Sequence, residues 1–190
     1  MDAGVLRLAI IIGSVREGRF GPTVARWFVR EAEAFGRFSI DVIDLAEADL
    51  PVVLTDEPPA EVAAVTPRLA AADAFVMVTP EYNRGYPASL KSLIDWHFEE
   101  WQAKPVGFVS YGGRAGGMRS VEQLIPVLGE LHAVTIREAV SFHDAWDQFD
   151  DSGQLRDSDA AHGAAKAMLD QLSWWALALS EARAKRPYNA

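Results

Sequence analysis

An apolar run, Leu6 to Ile12, stops abruptly at Gly13 and gives way to Ser14-Val15-Arg16-Glu17-Gly18-Arg19-Phe20-Gly21-Pro22. Thr23 then opens a stretch to Phe35 with Val24, Trp27, Phe28 and Ala32 at helical spacing, so the order is strand, small-residue loop, helix. Glycines 13, 18 and 21 let the backbone take positive φ and approach a ligand closely, while the helix N-terminus offers unpaired N–H groups and about half a positive charge. Such a loop suits a phosphate. Arg16 and Arg19 strengthen that reading, because guanidinium forks bind phosphate oxygens bidentately, and the Ser14 hydroxyl is a further donor. The alternative is a plain tight turn with solvated arginines; the position directly after the first strand favours the anion loop.

Spacing separates three kinds of phosphate loop. Gly13 to Gly18 has the gap of a P-loop, but Arg19 and Phe20 stand where that loop needs Lys and Ser/Thr, which removes the phosphate-reaching ammonium and the magnesium ligand. The Gly-x-Gly-x-x-Gly fingerprint of dinucleotide binding fails at Val15, although Asp44 ends the next strand where a ribose partner would sit; alone it reads as a polar strand end. What remains is a loop gripping a terminal monophosphate, as expected for a mononucleotide such as FMN.

The 190 residues are read as one domain, 1–190, and 49% hydrophobic content is enough for a sizeable core. A formal charge of -9 argues against nucleic acid, which wants a basic face. Without cysteine there are no disulfides, thiolate nucleophiles or Cys-ligated metals. Asp2 and Arg7 spoil the first apolar run as a signal core, and no segment approaches the roughly 20 apolar residues of a membrane span, so a cytoplasmic protein without a membrane partner is expected.

Further strands are expected at Phe38 to Leu45, Ala74 to Thr79, Pro105 to Ser110 and Val134 to Val140. Ala74 to Thr79 is a continuous apolar run of the kind covered on both faces. Helices are expected at Glu61 to Ala72, with Pro67 inside, at Ala88 to Trp101, at Arg119 to Leu131 with Pro126, and at Ala160 to Lys185. The last carries Ala164, Ala167, Met168, Gln171, Leu172, Trp175 and Leu179 on one stripe. Ser141 to Asp159 reads as a long polar excursion. Alternating strands and helices imply an α/β, doubly wound five-stranded parallel sheet, order 2-1-3-4-5, with helices on both faces. Ligands of such sheets sit beyond the carboxyl ends of the strands, where Gly13 to Pro22, Pro80 to Pro87 and Tyr111 to Gly117 converge.

Gly13-Ser14-Val15-Arg16-Glu17-Gly18-Arg19, together with Pro80-Glu81-Tyr82-Asn83-Arg84-Gly85-Tyr86-Pro87 and the following Ser89-Leu90-Lys91-Ser92-Leu93-Ile94-Asp95-Trp96, resembles the NADPH-dependent FMN reductase family of flavodoxin-like proteins. Relatives in that family include quinone, azo-dye and chromate reductases. Gly112-Gly113-Arg114-Ala115-Gly116-Gly117 corresponds to its third flavin loop. The resemblance implies that Ser14, Arg16, Arg19, Phe20 and Gly21 surround the FMN phosphate. It places Pro80, Glu81, Tyr82, Asn83 and Gly85 along the isoalloxazine, and Ser110, Gly112, Gly113 and Arg114 beside ribityl and ring. Arg19, Phe20 and Gly21 depart from the Ser and Asn common in the family, and Arg84 has no assigned role.

The implied activity is ping-pong hydride transfer from NADPH or NADH to the flavin N5 and on to a small acceptor such as a quinone, azo compound or free flavin. No protein catalytic residue is then required, because the cofactor carries the redox chemistry. The alternatives are a flavodoxin-like electron carrier and a flavin-binding redox-sensing module. His97, His132, His143 and His162 lack metal-ligand spacing, so no metal is expected. Family resemblance implies a homodimer or homotetramer, with Trp96, Phe98 and Trp101 as candidate contacts. Glu81 and Asp95 are weighed as an acid–base pair, with a structural contact the favoured role for Asp95.

Overall fold

The computed structural model describes residues 5–157 and 159–188. In chain order the elements begin with β1 (Leu6–Ile12), α1 (Gly21–Phe35), β2 (Phe38–Asp44), α2 (Leu45–Ala48), α3 (Ala60–Ala71), β3 (Ala74–Pro80) and α4 (Ala88–Asp95). A 3-10 turn (Glu99–Trp101) leads to β4 (Pro105–Tyr111), α5 (Met118–Glu130), β5 (Val134–Thr135), β6 (Val140–Phe142), α6 (Ala145–Gln148) and α7 (Asp159–Lys185). The sheet runs β2-β1-β3-β4-β5, every pairing is parallel, and β6 also pairs with β4.

Side-chain alternation along β1 splits the core into two layers. Leu8, Ile10 and Ile12 face α1 and α7, whereas Ala9 and Ile11 face α3, α4 and α5. All residues of β3 and β4 are buried, the state expected of strands covered on both sides. Each large apolar side chain there contributes about 1.5–3 kcal/mol of burial. α1 starts at Gly21, with Pro22 supplying a fixed φ where its missing N–H costs nothing, and ends at Gly36, whose φ of 75° makes a left-handed cap bonded back to Ala32 O.

Several expectations change in the structure. The helix from Ala88 ends at Asp95, because the Trp96 indole N–H donates to Pro51 O and the His97 ring lies between Leu93 O and Thr66 Oγ1. Trp101 is wholly buried, its ring centroid 4.7 Å from that of Phe75, so it is a core residue and cannot be a subunit contact. The strand expected over Val134 to Val140 is interrupted: the Glu138 N–H turns from the sheet to Gln171 Oε1 of α7. The excursion after it is partly regular, holding β6, α6 and a bridge from Phe149 to Leu155. α7 buries Ala165, Met168, Leu169, Leu172, Ser173 and Ala176, a stripe rotated from the expected one, with Ala167 exposed.

Candidate functional site

The loops after β1, β3 and β4 meet at one edge of the sheet, and the expected site residues lie on them. Ser14 Oγ is 2.6 Å from the Tyr82 hydroxyl, which joins the first loop to the second. Ser89 of α4 donates to Gly13 O, tightening the same junction. A Cβ on Gly21 would stand 2.9 Å from the Tyr111 hydroxyl, at the end of β4, so the third element touches the first as well.

The first loop has the donors that a phosphate ester requires. Among the described residues, the N–H groups of Ser14 through Gly18, of Phe20 and of Gly21 meet no protein acceptor; Gly13 N and Arg19 N bond to Val78 O and Arg16 O. No side chain caps α1. Successive free N–H groups leading into a helix N-terminus form an anion-binding concavity. The residues present therefore fit the phosphate end of FMN.

The two arginines of this loop differ. Arg16 is exposed and has no ion pair among the described residues. Arg19 is held by Asp44 through both carboxylate oxygens, with NH2 2.7 Å from Oδ2, and its NH1 also donates to Ser14 O at 2.9 Å. Hydrogen bonding to Asp44 raises the Arg19 pKa above the usual range, against the opposing effect of burial. Arg19 thus buttresses the loop backbone from below. Asp44 also accepts from Ala46 N, capping α2. Phe20 turns into an aromatic cluster, with ring centroids 6.2 Å from Tyr111, 6.4 Å from Trp146 and 5.4 Å from Phe149.

In the second loop Tyr82 and Gly85 exchange backbone hydrogen bonds at 2.9 and 3.0 Å around Asn83 and Arg84, whose φ values are 49° and 71°. Two central residues at positive φ are the pattern of a type I′ hairpin turn. Gln123 of α5 donates to Arg84 O at 2.7 Å and pins it. Pro80 is buried at the end of β3, where it pairs with Tyr111. Glu81 accepts from Arg119 at 2.7 Å through one oxygen, and its other oxygen is buried without a partner. Asp95 pairs instead with Lys91, so the two carboxylates weighed as a pair belong to separate contacts.

The third loop is a backbone construction. Gly116 and Gly117 have φ of 56° and 81°, and a Cβ on Gly117 would come within 2.8 Å of Tyr111 N. Only glycine fits there. Ser110 Oγ donates to Gly116 O at 2.7 Å, and Ser141 Oγ to the same oxygen at 2.8 Å, so the Ser110 hydroxyl is spent on loop shape. Gly112 O and Gly113 O accept from Ala145 N and Asp144 N, which sets α6 against this loop. Arg114 is exposed, and its carbonyl meets His143 Nδ1.

Tyr111 opens the third of the loops expected to converge on the ligand, within the stretch Ser110 to Arg114 that the family resemblance sets beside ribityl and ring, but no separate role is expected for its hydroxyl. The residue is 3% exposed, and its hydroxyl meets no acceptor at full hydrogen-bond geometry, although Ser14 is near enough to act on it. Burial raises its pKa well above the usual tyrosine range, so it remains a neutral phenol. The histidines are placed apart: His132 meets Tyr188, His143 meets Arg114 O, and His162 lies 2.8 Å from Glu31. Among the described residues no group of three or more His, Asp or Glu could hold a metal ion, and no helix is long and apolar enough to cross a membrane.

The model of the NADPH-dependent FMN reductase family matches residues 6–147. An NAD(P)H-dependent FMN reductase of Schizosaccharomyces pombe is 38% identical over 122 residues, an alignment covering 58% of this chain and 60% of that protein, so the chain spans about three fifths of that relative. A quinone reductase of Escherichia coli K12 is 34% identical over 144 residues, covering 70% of this chain and 74% of that protein. Among solved structures, the flavoenzyme NAD(P)H:(acceptor) oxidoreductase FerB from Paracoccus denitrificans superposes with a TM-score of 0.74 at 25% identity, covering 90% of this chain and 98% of that one.

Proposed function

Since the chain belongs to the NADPH-dependent FMN reductase family, we propose that it is an FMN-dependent NAD(P)H oxidoreductase that reduces a small acceptor such as a quinone, an azo compound or free flavin. The observation that carries this reading is the run of partnerless N–H groups from Ser14 to Gly18, continued at Phe20 and Gly21, at the N-terminus of α1. FMN held there would supply a two-electron redox centre for hydride transfer between the nicotinamide and the acceptor.

The chain's own part is to bind, orient and exclude. The first-loop N–H groups, with Ser14 and Arg16, hold the phosphate, while Arg19, locked to Asp44, fixes the backbone that presents them. Pro80 to Asn83 and Gly85 form one wall for the ring. Ser110, Gly112, Gly113 and Arg114 form the other. Glu81 is held by Arg119, so the first of these walls keeps one position relative to α5. Oriented loop N–H groups stabilise negative charge that develops beside them.

The test is anaerobic absorbance of the protein with added FMN, followed by NADPH or NADH. Bleaching of the oxidised flavin band is expected with at least one donor, and steady-state double-reciprocal plots should be parallel. Tight FMN binding without bleaching would instead support a carrier or sensor. A homodimer or homotetramer is part of the same proposal, with half-exposed Phe98 as a contact candidate, and sedimentation velocity decides it.

A further inference from the structure

Ser14 lies between two tyrosines of different standing. On the outer side, its hydroxyl is 2.6 Å from that of Tyr82, a residue 36% exposed at the rim. On the inner side is Tyr111, whose buried hydroxyl lies near enough to Ser14 to feel it but meets no acceptor at full hydrogen-bond geometry. The place where a Cβ on Gly21 would stand is 2.9 Å from the Tyr111 hydroxyl and 3.7 Å from Ser14 Cβ, so phenol and serine border one small space under the first loop. Ser14 itself is 1% exposed.

A buried hydroxyl without a partner is costly, and native proteins rarely keep one without a use. This one is also rigidly aimed, since the Tyr111 backbone is paired in the sheet with both Pro80 and Phe142. Its proton is secure, because burial disfavours the phenolate. A serine hydroxyl has one proton to give and two lone pairs to receive with. If Ser14 gives its proton to a ligand in the loop, both its lone pairs are open to donors: Tyr82, at 2.6 Å, can fill one, and the Tyr111 phenol borders the other side.

We propose that Tyr111 is a positioning residue for the phosphate end of FMN, donating to Ser14 Oγ when Ser14 gives its own proton to a phosphate oxygen. The inference rests on the FMN reading above. Hydroxyls donating in series polarise one another, so the chain from Tyr111 through Ser14 strengthens the last bond. Riboflavin, which lacks the phosphate, gains nothing from it. Tyr111 would thus set the preference for the phosphorylated flavin.

The test uses Tyr111→Phe, Ser14→Ala and the double variant, with FMN and riboflavin affinities from quenching of flavin fluorescence and melting temperatures with and without FMN. Tyr111→Phe keeps the ring and removes only the buried hydroxyl. It should weaken FMN up to about tenfold, the upper scale of one neutral hydrogen bond, and riboflavin less than about twofold. The flavin-free variant should melt about 2–4 °C above the parent, while the rise produced by FMN shrinks. In the Ser14→Ala background the Tyr111 change should cost no further FMN affinity.

Equal losses for both flavins, or FMN and riboflavin affinities unchanged in Tyr111→Phe while the parent binds FMN, would overturn the role of Tyr111. Losses that add in the double variant would overturn the relay through Ser14. If the parent protein bound no FMN at all, the cofactor reading would fail first, and the inference with it.

Discussion

Arg16 and Arg19 stand three positions apart in one loop, yet their surroundings assign them different tasks. Arg19 is bound to Asp44 and Ser14 O, whereas Arg16 is free to meet a ligand. Arg16→Ala should therefore weaken FMN by roughly 1.5–3 kcal/mol, the scale of a hydrogen bond to a charged group. Riboflavin affinity should hardly change, and isothermal titration with the two flavins compares them directly; an equal loss for both would remove Arg16 from the phosphate. Reading the sequence identifies both guanidinium groups as phosphate partners because nothing local separates them. The carboxylate that claims Arg19 comes from the end of β2, and only the β1–β2 register, Ile12 opposite Asp44, brings it there. Tyr111 is legible as a member of the third loop, but the place of its hydroxyl, beside Gly21 and Ser14 of the first loop, follows only from how the strands bring the two loops together.

Among elements, those whose signal is self-contained were legible in the sequence. β1, β3 and β4 are apolar runs with both faces covered, and each is followed by a glycine- or proline-rich loop, so strand order and the site edge follow from pattern alone. Elements decided by a distant partner were not. The last strand breaks where Gln171 takes the Glu138 N–H, and α4 stops where Pro51 takes the Trp96 indole. Arg84 now has a place, the second central residue of a turn that favours glycine there. Arg84→Gly should raise stability by about 0.5–1 kcal/mol in urea unfolding, since it removes a side chain from a left-handed conformation; a loss would show that the arginine side chain outweighs the strain. At the far end of α3, Lys104 Nζ donates to Leu69 O and Ala70 O at 3.0 and 2.9 Å, and burial lowers its pKa from 10.5 to about 8. The unfolded chain then binds more protons between those values, so this lysine makes stability rise with pH from about 8 to 10.5, by at most about 3 kcal/mol. Urea unfolding of the parent and Lys104→Met across that window should show the rise in the parent alone.

For the molecule as a whole, charge is unevenly spread. The chain carries -9, yet the three site loops and the start of α5 hold Arg16, Arg19, Arg84, Arg114 and Arg119 against Glu17 and Glu81. At about 0.01 M salt the screening length, near 30 Å, lets an approaching phosphate feel the acidic remainder together with this rim; at 0.1 M, near 10 Å, it feels mainly the rim. Stopped-flow association of FMN should thus change little between 0.01 and 0.1 M and fall towards 1 M, whereas a steady rise with salt would mean that the overall negative charge governs approach. The aromatic cluster around Phe20 carries a consequence in time. Tyr111, Trp146 and Phe149 are its other members, and α6 is also fastened to the third loop through Gly112 and Gly113. During synthesis at ~5–20 residues per second, Phe149 leaves the ribosomal peptidyl centre roughly 6–25 s after Phe20. The nascent chain therefore makes its first loop well before that loop's rear wall, so the enclosure behind it waits on the synthesis of α6 and Phe149.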